Sequence, residues 1–193
     1  GLPTNWQPTS WADILTTAKT LKTKLPDVQA FQINANTGMG EATALIAKTF
    51  PEIGFIGVEL HKPGLGSLLN RIEELELKNI RLICEDARVL LEDNFPDNSL
   101  DGFHLYFPDP WPKKRHHKRR LFRPELINLM LQKLKRGGQI FIATDWQSYA
   151  EEILENLPNS QVIKRPSWRP ITKYERKGLN AKRTITDITS QKS

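Results

Sequence analysis

Short apolar runs rich in β-branched and aromatic residues alternate along this chain with longer stretches in which apolar residues recur every three or four positions. The runs Ala30–Asn34, Phe55–Leu60, Ile80–Cys84, Leu100–Phe107 and Gln139–Thr144 have the length and make-up of strands. The stretches between them predict helices. Glu41–Phe50 ends before Pro51, and Leu65, Leu68, Leu69, Ile72 and Leu75 form one apolar face. Leu126, Ile127, Met130, Leu131 and Leu134 form another, started by Pro124 and stopped by Gly137-Gly138, and a further helix spans Trp146–Leu157. Parallel strands need a crossover, usually a helix, so the alternation predicts a doubly wound, mostly parallel α/β sheet.

The two ends of the chain depart from this rhythm. Upstream, Ser10 caps a predicted helix through Leu25, closed by Pro26. After Leu157, Gln161–Arg165 and Thr184–Thr189 read as two β-segments forming an antiparallel hairpin at the sheet edge, joined by a long basic loop without a helix of its own. The expected organisation is one domain, with a helical segment 1–25, an α/β core 26–157 and an edge hairpin 158–193.

Composition adds exclusions. The single cysteine, Cys84, rules out an intrachain disulfide and a thiolate zinc cluster, and no metal site is expected. No apolar run approaches the roughly 20 residues that span a bilayer, and the first residues lack the basic and apolar regions of a signal peptide, so the expected setting is cytoplasmic, away from membranes. Charge says more when it is read by segment. The net +6 is modest. Lys113–Arg120, however, holds six basic residues and no acid, and Gln161–Arg183 holds eight basic residues against Glu175 alone. The remainder is net acidic, and two basic patches on an acidic body are the footprint of a nucleic-acid binder.

Sheets of this kind bind ligands beyond the carboxyl ends of their strands, so candidate residues should follow strands directly. Four places do. The first strand runs into Asn36-Thr37-Gly38-Met39-Gly40-Glu41, where glycines allow a close backbone approach. The second ends in Glu59, where a carboxylate can accept both ribose hydroxyls of an adenosine cofactor, and the third in Glu85-Asp86-Ala87, where one can accept from an adenine amino group. Each acid alone could equally cap a helix or face solvent. A Gly-rich turn with an acid about 20 residues on also suits a dinucleotide enzyme, leaving a nicotinamide cofactor and S-adenosylmethionine level. The fourth place separates them: in Phe107-Pro108-Asp109-Pro110-Trp111-Pro112 a carboxylate leaves the sheet on a proline-stiffened backbone, just before the densest basic run.

At FPDPWPKKRHHKRRL, with Ala143-Thr144-Asp145-Trp146 and Arg169-Pro170-Ile171-Thr172-Lys173-Tyr174-Glu175 downstream, the chain closely resembles the bacterial tRNA (guanine-N7-)-methyltransferase family, and Ile56–Gly64 resembles its second-strand motif. The resemblance runs from about Ala30 to Asp187. It implies a Rossmann-like, class I, seven-stranded methyltransferase that uses S-adenosyl-L-methionine to methylate N7 of the variable-loop guanine, position 46, of tRNA. It further implies a cofactor site at Asn34, Gly38, Gly40, Glu59, Asp86 and Asp109, with Asp109 also catalytic. Lys113, Asp145, Thr172, Lys173, Tyr174 and Glu175 would contact the substrate, and Arg115, His116, His117, Lys118, Arg119 and Arg120 the RNA. Two departures stand out. Aligned back from Gly40, Asn34 and Asn36 occupy the places of the family's acid and first glycine, or Gln32 takes the acid's place if two residues are inserted, and Lys182-Arg183 replaces a Gly-His pair. The first supports an alternative, an RNA-binding paralogue with impaired cofactor binding.

Overall fold

The computed structural model describes residues 28–33, as backbone, and 40–193. The expected helix from Ser10 to Leu25 and the turn residues Asn34, Asn36 and Gly38 lie outside the described residues. Seven strands form one sheet in the order β3-β2-β1-β4-β5-β7-β6. They are β1 (Val28–Ile33), β2 (Gly54–Val58), β3 (Ile80–Ile83), β4 (Leu100–Tyr106), β5 (Leu134–Thr144), β6 (Gln161–Ile163) and β7 (Thr186–Gln191). The first five are mutually parallel; β7 runs antiparallel to β5, and β6 antiparallel to β7.

Helices α1 (Glu41–Thr49), α2 (Lys62–Glu74), α3 (Ala87–Asn94), α4 (Pro124–Lys133) and α5 (Gln147–Asn156) supply the layers on the two sides. Leu90 and Leu91 of α3, Leu126, Ile127 and Met130 of α4 and Tyr149, Ala150 and Ile153 of α5 cover one face, packed on Phe103, Leu105, Ile140 and Ile142. On the other face, among the described residues, Ala42, Ile46 and Ala47 of α1 meet Phe55 and Ile80, with Tyr106 and Trp168 against them. Full burial of each large apolar side chain contributes about 2 kcal/mol, so among the described residues the first cluster contributes more than the second.

Three features differ from the sequence expectation. Helix α3 went unpredicted because it is short and carries an exposed Val89; its signal was Asp86, whose Oδ1 accepts from Arg88 N at 2.8 Å as an N-cap. Leu134 belongs to β5 and not to the preceding helix: it pairs with Leu100, and Gly137-Gly138 falls in a register shift inside the strand, between the Leu100↔Leu134 and Gly102↔Gln139 pairs. The basic loop between β6 and β7 does contain a helix, α6 (Lys173–Asn180), capped by Thr172, whose hydroxyl accepts from Glu175 N at 3.1 Å. The Thr-x-x-Glu spacing of a capping box announces it.

Candidate active site

The register brings the ends of the parallel strands level. Ile33 pairs with Val58 and with Leu105, Val58 with Ile83, and Tyr106 with Ala143. Glu59 and Asp86 therefore leave the sheet on one side of β1, and Asp109 and Asp145 on the other. Strand order reverses between β1 and β4, which makes this the crevice where such sheets take ligands.

Glu59 is 6% exposed and Oε1 accepts from His61 N at 2.9 Å. Burial raises its pKa, and the backbone donors at His61 and Leu60 only partly offset this. The carboxylate lies against α2, where a Cβ added to Gly64 would stand 3.3 Å from Oε2. A buried carboxylate whose burial the backbone donors only partly offset suits a pair of ligand hydroxyls. Asp86 is exposed and caps α3, the alternative that its position left open. Gly40 has φ 63°, and a Cβ there would come within 2.6 Å of Leu68, so the contact of α1 with α2 already requires glycine whatever approaches the turn.

Asp109 is exposed and sits between two residues with left-handed backbone, Phe107 at φ 52° and Trp111 at φ 42°. Phe107 N donates to Ala143 O at 2.7 Å, which ties the root of the turn to β5. Non-glycine residues in this region cost energy and persist only where the surroundings hold them, a pattern that concentrates at functional sites. The basic run then forms a 3-10 helix, Lys114–Arg119. Lys113, Lys114, Arg115, Lys118 and Arg119 are exposed, and His116 and His117 half-buried. Arg119 lies over the Trp111 ring at 5.0 Å, and His116 meets the same ring edge-on at 5.9 Å.

Arg120 corrects the expectation of an RNA contact. It is 2% exposed, its Nε donates to Pro110 O at 2.8 Å, its NH1 pairs with Glu152, and the guanidinium covers the Tyr149 ring. It fastens the Pro-Asp-Pro turn to α5.

The segment Thr172–Glu175 divides in two. Thr172 and Glu175 are buried: the first caps α6, and both oxygens of the second accept from Arg169, at 2.6 and 3.2 Å. Arg169 also donates to both oxygens of Asp187 on β7, at 2.6 and 3.0 Å, and lies over the Phe107 ring at 5.8 Å. Burial opposes its charge, but the two carboxylates win and its pKa is raised; Asp187 is shifted upward by burial against the pull of Arg169. Lys173 and Tyr174 are thus the two residues of the segment whose side chains reach solvent. Arg176 reaches Glu41 at 3.3 Å, linking α6 to the start of α1, and Arg183 pairs with Asp145 at 2.7 Å. Sequence reasoning counted Arg169 and Arg183 only as charges of the second basic patch, whereas Arg169 is buried between Glu175 and Asp187 and Arg183 pairs with Asp145; the Thr172-x-x-Glu175 pattern gives the helix but not the partner its glutamate finds.

Among the described residues no group of three or more His, Cys, Asp and Glu could hold a metal, and no helix is long and apolar enough to cross a membrane.

The chain matches the family described as "Putative methyltransferase" over residues 29–188. A tRNA (guanine-N(7)-)-methyltransferase from Nitrosomonas europaea is 48% identical over 164 residues, 81% of this chain and 73% of that protein. Its counterpart from Nitrosospira multiformis is 49% identical over 163 residues, 80% and 71% of the two chains. Among solved structures, precorrin-6y C5,15-methyltransferase from Geobacter metallireducens aligns with TM-score 0.58 at 16% identity, covering 96% of this chain and 91% of that one. A SAM-dependent O-methyltransferase from Thermotoga maritima aligns with TM-score 0.57 at 15% identity, covering 97% and 67%. The structural likenesses give the fold, that of class I S-adenosylmethionine-dependent methyltransferases. The relatives and the matched motifs give the rest: the chain belongs to the bacterial tRNA (guanine-N7-)-methyltransferase family.

Proposed function

We propose that this protein transfers the methyl group of S-adenosyl-L-methionine to N7 of the variable-loop guanine of tRNA. The observation that carries the reading is the Pro-fixed Asp109 turn at the carboxyl edge, continuous with an exposed basic helix, in a chain almost half identical to enzymes named for this reaction. Those relatives give no support to an RNA-binding module without catalysis.

The cofactor fits the residues present. Glu59, buried with backbone donors on its flank, would take the ribose hydroxyls, and Asp86 retains carboxylate capacity for the adenine edge while capping α3. Bound there, S-adenosyl-L-methionine supplies an electrophilic sulfonium methyl. Guanine N7 carries an available lone pair and needs no deprotonation, so the protein's tasks are alignment and stabilisation of the positive charge that develops on the purine. Asp109 serves both, its carboxylate accepting from the N1–H and amino edge of guanine, which selects that base and feeds electron density toward N7. Lys113, Asp145, Lys173 and Tyr174 line the substrate side of the same edge. Arg115, Lys118 and Arg119, with His116 and His117 beside them, bind the phosphate backbone, and Trp111 offers a ring to an unstacked base.

Asp109→Asn tests the assignment. The amide keeps the shape of the turn and removes the anion, so single-turnover methylation with tRNA and cofactor saturating should slow by about 10²-fold or more. Affinity for tRNA should change little, since phosphate contacts supply most of it. A near wild-type rate would reduce Asp109 to a structural residue of the turn.

A further inference from the structure

Asp145 follows the carboxyl end of β5, and its side chain is 15% exposed. Oδ2 accepts from Arg183 at 2.7 Å, and Oδ1 carries no hydrogen bond from the described residues. Three separate features build this arrangement. The C-terminus of α6 closes in a Schellman motif: Arg183 N donates to Gly178 O and Lys182 N to Leu179 O, both at 2.9 Å, with Lys182 in the left-handed conformation at φ 56°. That reversal turns the chain back over β5 and sets Arg183 above Asp145. Next, the backbone of α6 presses on the acid itself, since a Cβ at Gly178 would stand 2.9 Å from both Cβ and Oδ2 of Asp145. Finally, the Arg183 guanidinium lies 5.3 Å over the Trp146 ring, a flat shelf that a planar group can share with an ion pair. Between helix backbone and guanidinium the carboxylate is held with one oxygen engaged and the other left for a donor.

We infer that Arg183 is a positioning residue for Asp145: it fixes the orientation of the carboxylate, so that Oδ1 meets a hydrogen-bond donor of the guanosine being methylated. The inference rests on the proposed substrate role of Asp145. Arg183 acts through the acid, and a phosphate contact of its own would behave differently.

A double-mutant cycle separates the two. Steady-state tRNA methylation is measured for wild type, Arg183→Ala, Arg183→Lys, Asp145→Asn and the Asp145→Asn/Arg183→Ala pair, with S-adenosylhomocysteine titration and thermal melting of each. Arg183→Ala should raise KM for tRNA about tenfold, the scale of one charge-assisted hydrogen bond, with kcat and cofactor affinity nearly unchanged. Arg183→Lys should recover part of the loss, because the charge returns without the flat contact on Trp146. The double variant should be no worse than Asp145→Asn alone. Additive losses, with a shallower salt dependence for every variant lacking Arg183, would make it an independent phosphate contact and overturn the inference. Wild-type kinetics in Arg183→Ala would overturn it too. A fully active Asp145→Asn would remove the premise while methylation by wild type stands, and a wild type that methylates no tRNA would overturn both the inference and the proposed function.

Discussion

His104 lies on β4 with 7% exposure, stacked on Trp168 at 5.3 Å and edge-on to Phe141 at 5.4 Å. Burial among these rings pushes its pKa from 6.5 down to about 4. The folded chain therefore keeps a neutral imidazole over a range in which the unfolded chain takes up a proton. The sign follows: stability is complete above about 6.5, and falls with pH through the window down to about 4. The loss between pH 7 and pH 5 should be about 2 kcal/mol. His104→Phe retains an aromatic ring against Trp168 without a titrating group. Denaturant unfolding at the two pH values should show this variant losing about 2 kcal/mol less than wild type; equal losses would mean that His104 ionises in the native state. Asp109 is the opposite kind of residue, exposed and anionic on a backbone that two left-handed positions keep fixed. Its candidacy was legible from three prolines and a neighbouring basic run, whereas the burial of His104 was not, because no local pattern reports which strand lies mid-sheet beneath Trp168.

Helix α6 is the element that composition concealed. Its sequence, KYERKGLN, is polar nearly throughout, so no apolar run marks it although its polar positions gather on one side at helical spacing, and it stays in place by ion pairs more than by an apolar face. The central cluster is the triad of Arg169 with Glu175 and Asp187, almost wholly buried. Removing one partner of such a cluster leaves buried charge without compensation, which costs about 3–5 kcal/mol. Arg169→Met should lower stability by that order in urea titration, and hydrogen exchange of the α6 amides should accelerate more than that of α4. A loss under about 1 kcal/mol would show the cluster to be solvated and α6 to be held by something else. The same contrast explains what could be read in advance. Strands β2, β4 and β5 and the helices α1, α4 and α5 bury apolar residues that the sequence displays, and α2 buries Leu68 of its apolar face while Leu69 stays exposed; α3 and α6 are short and start at side-chain caps, Asp86 and Thr172, which show up as single residues.

At the scale of the molecule, the sheet carries acids at its carboxyl edge and positive charge on the elements that leave that edge. Binding of tRNA should release counterions, with affinity falling by about 0.7–0.9 log units per log unit of salt for each phosphate neutralised. Replacing Arg115, Lys118 and Arg119 together with Ala should weaken tRNA binding and flatten that slope without changing S-adenosylhomocysteine affinity. Arg120→Ala should act on stability instead, since its guanidinium is spent on Glu152 and Pro110. A salt response that the triple variant leaves unaltered would move the interface elsewhere. The most direct measurement of the whole account is methyl transfer from labelled S-adenosyl-L-methionine to tRNA, followed by nucleoside analysis, with one transcript carrying guanine in the variable loop and a second carrying adenine there. The account predicts label in 7-methylguanosine from the first transcript and none from the second. Equal labelling of both, or label in any other nucleoside, would contradict it.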